Sequence, residues 1–385
     1  MKILFHCVYF PPEVGGLESH VYELARGLVD EGHEVRVVTS RSLPGVAREE
    51  VVEGIQVIRT WFPSRGPVGW TTHALASIPV TRRGARWADI VHAQAFSSVV
   101  PAGLAARNAR RPLVITLHTS HFLTRAQRPG WRPILRRLVH MGDHVLAAST
   151  EIAEVGTGLT GGTVGVEPLT NGVDTSRFRP VSPAIAAPPG VRRLIVPRRL
   201  FPKNGVEFLV RAVPEIRRAI PRIEVLVVGD GPERGRLDSI ARELGVEDQI
   251  RFLGSRPHGE MPGLLCSAEL AVIPSLMEAT SVAGLEAMAC GLPLVASRVG
   301  GLPEIVGDDT GVLVPPADPP ALADAICALL SDPDLKARGE RARDAVVQHW
   351  SNARLVARHL DIYEQLLQPG HALRASRSRT SRESA

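Results

Sequence analysis

The sequence predicts an α/β chain built as two successive parallel-sheet domains, and three observations predict it. Short apolar runs alternate with amphipathic stretches from residue 2 to residue 159, the pattern of strands joined by crossover helices. A second alternating run starts at Val191 and continues to residue 314. Between them, residues 181–190 are proline-rich, uncharged and without periodicity, which is linker composition.

A chain of 385 residues has room for two domains of ordinary size. Its 44% hydrophobic and 22% charged content is that of a water-soluble globular protein. No apolar run reaches the roughly 18 residues needed to span a bilayer. The apolar N-terminal run meets Pro11-Pro12 with no small-residue cleavage site, so it reads as a first strand and not a leader. A cytoplasmic location is therefore expected. Cys7, Cys266, Cys290 and Cys327 have no C-x-x-C spacing and read as buried free thiols, with neither a zinc site nor a disulfide framework. Aromatic content of 4% argues against a carbohydrate surface built of stacked rings.

The formal charge of +5 is mild, but its distribution is uneven. Residues 90–142 contain no Asp or Glu and eight arginines: 107, 110, 111, 125, 128, 132, 136 and 137. This is either a solvated basic face or a patch that draws an anionic membrane surface or a phosphate-bearing acceptor. Nucleic acid is not an expected partner.

In the first half, strands are expected at residues 2–9, 34–39, 55–60, 89–92, 113–118 and 144–148. A helix opens at Gly15-Gly16 and carries Leu17, Val21, Leu24, Ala25 and Leu28 on one face. Further helices or turns are expected near residue 102 and at 133–140 and 151–159. Ligands of open α/β sheets gather at the carboxyl ends of the strands. Two positions there stand out. Gly15-Gly16 would let the backbone approach a phosphate at a helix N-terminus. His118 ends its strand, where it is either a satisfied rim histidine or part of a site.

In the second half, strands are expected at 191–196, 223–229, 250–254, 270–274, 292–296 and 311–314. Helices are expected at 206–219, 319–330 and 334–348. A last amphipathic helix at 350–367 has Leu355, Val356, Leu360, Ile362, Tyr363 and Leu366 as its apolar set. The tail 370–385 is rich in Ser and Arg and is expected to be disordered. Arg198, Arg199 and Lys203 follow the strand 191–196 directly, and cations there suit a diphosphate.

The most informative stretch is residues 273–297, IPSLMEATSVAGLEAMACGLPLVAS. Glu278 lies in a polar turn, and Glu286 is the lone charge of a nearly apolar helix. Thr280 or Ser281 is placed to cap that helix. The free N–H groups of its first turn, at Val282 and Ala283, form an anion site. A phosphate flanked by two acceptors for hydroxyl groups is the layout a sugar nucleotide requires.

This stretch resembles the E-x7-E element of the retaining glycosyltransferases of the GT4 family. Other motifs match the family in order: PP-x-x-GG-x-E from Pro11, NGVD-x-x-x-F-x-P from Asn171, R-x4-K from Arg198 and G-x-G-P from Gly229. The resemblance implies a GT-B fold, two Rossmann-like domains facing each other across a cleft. Residues 1–180 would form the acceptor-side domain, 191–350 the nucleotide-sugar-binding domain, and 351–369 a helix returning to the first domain. It implies transfer of a sugar from a UDP- or GDP-type donor to an acceptor hydroxyl, with retention at the anomeric carbon and no metal. Gly16, Arg198 or Arg199, Lys203, Val282 and Ala283 would hold the diphosphate, Glu286 the ribose and Glu278 the sugar hydroxyls. His118 would lie near the reacting carbon, and Arg256 in a loop lining the base. The basic first half points to a lipid-linked or cell-envelope glycan acceptor at an inner membrane face. Two departures stand out: Asn204 where the family often has Gly, and Thr280-Ser281 where most members have Phe-Gly. The same fold also serves sugar-nucleotide epimerases, hydrolases and non-catalytic subunits. Retention of Glu278, Arg198 and Lys203 speaks against a non-catalytic role.

Overall fold

A computed structural model describes residues 1–13, 15–118 and 120–368. The expected disordered tail, 370–385, lies outside these residues. The chain forms two compact units, one of residues 1–171 with 352 onward, the other Gly172–Ser351. Among the described residues no helix is long and apolar enough to cross a membrane.

The first unit holds an eight-stranded sheet. Its strands are β1 (Lys2–His6), β2 (Glu34–Ser40), β3 (Glu49–Val52), β4 (Ile55–Thr60), β5 (Ile90–Gln94), β6 (Leu113–Leu117), β7 (His144–Ala147) and β8 (Glu167–Pro168). The spatial order is β3-β4-β2-β1-β5-β6-β7-β8, and every pairing is parallel except β3 with β4. Strand order therefore reverses between β1 and β5, which opens a crevice at their carboxyl ends. The helices Gly16–Asp30 and Asn352–Leu367 cover one face, burying Val21, Leu24, Leu28, Leu355, Ile362 and Tyr363 against Ile3, Phe5 and Val37. Leu4 alternates to the other face, where the helix Pro67–Trp87 approaches closely. A Cβ at Gly84 of that helix would lie 2.9 Å from the Leu4 side chain.

The second unit holds six parallel strands: β9 (Arg192–Pro197), β10 (Ile223–Val228), β11 (Ile250–Gly254), β12 (Leu270–Ile273), β13 (Leu294–Ser297) and β14 (Gly311–Val314). Their order, β11-β10-β9-β12-β13-β14, is that of a dinucleotide-binding sheet, with the reversal between β9 and β12. One face packs on the helices Val206–Ala219 and Pro319–Ser331, the other on Val282–Ala289 and Leu335–His349.

The segment 181–190 is part of the second unit. The Ala184 and Ile185 N–H groups donate to Gly263 O (2.9 Å) and Ser267 Oγ (3.0 Å). The buried Arg193 guanidinium, paired with Glu224, donates to Ile185 O at 2.7 Å. Composition marks this stretch as a connector, but these bonds dock it, and the chain passes between units at 171/172 and 351/352 instead. Two of the four thiols, Cys7 and Cys290, are buried, while Cys266 and Cys327 are only half-buried.

Candidate functional site

In the second unit the candidate side chains converge where strand order reverses. Arg198 follows β9, and Ser275 and Glu278 follow β12. Arg198 Nη2 donates to Glu278 Oε2 at 2.5 Å, Ser275 Oγ at 2.8 Å and Asn204 Oδ1 at 3.0 Å. Its Nε–H is buried and has no acceptor among the described residues. A buried donor without a partner costs about 1–3 kcal/mol, so this one is suited to an incoming oxygen. Lys203 sits beside this group, and partial desolvation lowers its pKa, with Glu278 opposing and Arg199 and Arg198 adding to the shift. Arg199 is exposed and turns to the Phe201 ring, 5.7 Å away. Of the two adjacent arginines, Arg198 is the one that joins Glu278.

Four glycines let the loops holding these groups approach one another. A Cβ would fall 1.9 Å from Pro274 O at Gly205, 2.1 Å from Arg198 O at Gly229, 2.3 Å from Leu200 O at Gly231 and 1.7 Å from Glu278 O at Gly300. The turn after β10 thus packs directly on the Arg198 loop, and the turn after β13 on the Glu278 loop. Leu200 N–H donates to Asp230 O, and Gly301 N–H to Ala279 O.

The helix Val282–Ala289 starts at Ser281, whose Oγ accepts from Gly284 N–H at 3.1 Å. Glu286 is buried, and His258 Nε2 donates to its Oε1 at 2.7 Å. The Phe178 ring backs His258 at 5.1 Å. Arg256 is exposed and turned to its own loop, donating to Leu253 O at 3.1 Å. The side chain that reaches Glu286 from this segment is His258, two residues further on.

In the first unit Gly16 is exposed and opens the helix Gly16–Asp30, which has no side-chain cap at its N-terminus. His118, at the end of β6, is buried, with its ring 4.9 Å from that of His20 in the same helix as Gly16. His118 Nε2 lies 2.7 Å from Gln94 Oε1. The carbonyl oxygen can only accept, so Nε2 carries the proton. Burial holds the His118 pKa down at about 3, so the ring is neutral. Gln94 Nε2 in turn faces His92 Nε2 at 3.4 Å, and His92 Nδ1 lies 2.7 Å from the Tyr363 hydroxyl. A buried polar chain thus runs from His118 to the last helix.

Residues 14–177 match the family described as Glycosyltransferase Family 4, and residues 192–332 that described as Glycosyl transferases group 1. A phosphatidylinositol N-acetylglucosaminyltransferase component from Arabidopsis thaliana is 31% identical over 85% of this chain and 73% of its own length. The chain belongs to the family 4 glycosyltransferases. A glycogen synthase of Mycobacterium tuberculosis is 32% identical over 89% of both chains. Among solved structures, a sucrose-phosphate synthase from Thermosynechococcus elongatus superposes with a TM-score of 0.82 over 95% of this chain and 98% of its own, at 24% identity. That likeness confirms the GT-B fold.

This glycosyltransferase, which uses a nucleotide-sugar donor, explains its two departures locally. Asn204 takes the position of the usual glycine to pin the Arg198 loop: its Nδ2–H donates to Arg199 O at 2.6 Å while its Oδ1 accepts from Arg198. Gly205, at φ 64°, makes the turn instead. Ser281 replaces the second residue of the Phe-Gly pair as a helix cap. Among the described residues no cluster of three or more His, Cys, Asp or Glu could hold a metal ion.

Proposed function

We propose that this glycosyltransferase moves a sugar from a nucleoside diphosphate sugar, with retention and without a metal, to a hydroxyl of a lipid-linked or envelope-glycan acceptor. The observation that carries the donor half is the buried Arg198 Nε–H, without an acceptor among the described residues, beside Glu278 where strand order reverses. As the bond from the anomeric carbon to the diphosphate oxygen breaks, negative charge grows on the diphosphate. Arg198, Lys203 and the N–H groups of Val282 and Ala283 are the donors that meet it, each worth about 3 kcal/mol when well placed. Glu278 accepts from the sugar hydroxyls. Glu286, with one oxygen held by His258, keeps its other oxygen for the ribose. The roles of Gly16 at the diphosphate and of His118 near the reacting carbon rest on the family's pattern.

Thermal unfolding with a panel of nucleoside diphosphate sugars tests this. A ligand that binds only the folded protein raises its midpoint. One donor should raise the midpoint of the wild type, equally with excess EDTA, and leave Arg198→Ala/Lys203→Ala unmoved. No shift from any donor, with the fold intact, would overturn the donor site.

Support for a membrane-side acceptor comes from the helix Arg132–Val139. It buries Leu135 and Val139 and exposes Arg132, Ile134, Arg136 and Arg137. Exposed cations around an exposed aliphatic side chain suit an anionic lipid surface. Cosedimentation with anionic vesicles should be salt-sensitive and drop severalfold in Arg132→Ala/Arg136→Ala/Arg137→Ala. Binding that ignores both salt and these substitutions would sink the membrane part alone.

A further inference from the structure

Aromatic residues are few, yet the first unit gathers several of them at one place. Phe96 follows β5, Trp70 lies in the helix after β4, and Trp131 follows the helix Ser120–Ala126, which comes after β6. Arg125 of that helix lies among them, its guanidinium carbon 5.0 Å from the Trp131 ring centroid, 5.1 Å from Phe96 and 5.6 Å from Trp70. Trp70 is fixed by its indole N–H, which donates to the hydroxyl of Tyr9 at 3.0 Å. Residues following β1, β4, β5 and β6 thus converge at the carboxyl edge of the sheet, beside the reversal between β1 and β5.

The guanidinium of Arg125 is half-buried, and among the described residues none of its N–H groups has an acceptor and no carboxylate pairs with it. The two arginines that are buried outright have acceptors: Arg59 has Glu50 and Pro11 O, and Arg193 has Glu224 and Ile185 O. Near Arg125 the neighbouring charge is Arg128, of the same sign, and together with burial it lowers the Arg125 pKa. Aromatic faces hold a guanidinium through its charge but leave its in-plane N–H fork open. An open fork in a locally acid-free, positive environment matches a phosphate, which it can grip with two parallel hydrogen bonds.

We propose that Arg125, framed by Trp70, Phe96 and Trp131, binds a phosphate group carried by the acceptor. The proposal deepens the transferase reading above and rests on it for the word acceptor. The aromatic walls would cover the ring or chain attached to that phosphate. Composition argues against a carbohydrate surface built of stacked rings, and the proposal requires none: it places three of the few aromatic rings around one cation.

Tryptophan fluorescence tests the site directly, since Trp70 and Trp131 flank the guanidinium. The full-length protein is titrated at constant ionic strength with inorganic phosphate, with glycerol 3-phosphate, and with phosphatidylcholine vesicles with and without phosphatidylinositol. Wild type should give a saturable change that survives in Arg198→Ala/Lys203→Ala, which excludes the donor site as its source. Arg125→Gln should bind about tenfold more weakly or worse while keeping the donor-induced thermal shift of the wild type. That shift also reports an intact fold. If Arg125→Gln fails to fold, Arg125→Lys replaces it; the charge stays, the fork is lost, and weaker binding is still expected. A response to the soluble monoester marks a soluble acceptor, and a response only to the vesicles with phosphatidylinositol a lipid headgroup; both support the proposal. It is overturned if the Arg125 variants titrate like wild type, or if no probe gives a saturable response in the wild type.

Discussion

Gly300 has a φ of 52°, and a Cβ added there would lie 1.7 Å from the Glu278 carbonyl oxygen. Both constraints act at one residue, and the second fixes the loop that carries a proposed donor-binding carboxylate. Gly245 isolates the first constraint, because its φ is 63° and nothing lies within 4 Å of an added Cβ. Gly245→Ala should cost about 1 kcal/mol, the strain of a left-handed backbone. Gly300→Ala should cost about 3 kcal/mol or more and abolish the donor-induced thermal shift. Urea unfolding of the two variants measures the difference, and equal losses would refute the close-approach argument. The charged members of the site, Arg198, Lys203, Glu278 and Glu286, were legible because ionic side chains at strand ends or in an apolar helix need a reason. Asn204, Ser275 and His258 were not. Each acts by pairing with one of those groups, and Ser275 and His258 lie 77 and 28 residues from their partners. No local pattern marks a pairing of that range.

The same division between local and distant information holds for whole elements. The last helix was legible because its buried stripe is apolar, with Leu355, Val356, Ile362 and Leu366 at helical spacing. The helix Pro67–Trp87 was not, because its buried positions are Gly69, His73, Ser77, Thr81, Gly84 and Ala85. Small and hydroxyl side chains give no apolar period, and their burial makes sense only once partners are present. His6 Nε2 lies 2.9 Å from Ser77 Oγ, and His73 Nδ1 lies 2.8 Å from Thr60 Oγ1. β3 was missed for a different reason. It is an antiparallel edge strand of sequence Glu-Glu-Val-Val, in which Glu50 and Val52 are half-buried while Glu49 and Val51 are exposed, so its alternation of burial is not matched by any alternation of polar and apolar residues. Even the legible last helix hides its polar content. Tyr363 faces His92, and through Gln94 that chain reaches His118, so an element recognised by its apolar stripe also takes part in orienting a candidate catalytic ring.

At the scale of the whole molecule, titration burden is divided unequally between the two units. His6, His20, His73, His92, His118 and His359 are each buried to 3% exposure or less, and all six lie in the first unit. The second unit's His258 and His349 are not buried. Burial pulls His6, His20 and His92 well below the usual histidine range, His73 and His359 to about 4, and His118 to about 3. Above about pH 6.5 these rings are neutral folded and unfolded, and they add no pH dependence. Below it the unfolded chain takes up protons that the folded one refuses, so stability falls with pH until the folded pKa is reached. Each ring contributes at most about 1.4 kcal/mol per pH unit to that fall. The first unit should therefore unfold in acid before the second. Four of the five tryptophans, Trp61, Trp70, Trp87 and Trp131, lie in the first unit and one, Trp350, in the second, so fluorescence mainly follows the first unit. Hydrogen exchange mapped along the chain follows both. Between about pH 6 and 4, loss of tryptophan signal and of exchange protection in β1, β5 and β6 should precede loss in β9 and β12. Among the described residues His20 has no hydrogen-bonding partner on either ring nitrogen, so His20→Phe removes a titrating group without breaking a bond and should move the first midpoint to lower pH. Simultaneous unfolding of both units, or an unmoved midpoint in His20→Phe, would mean that the buried histidines do not govern the acid limit of this enzyme.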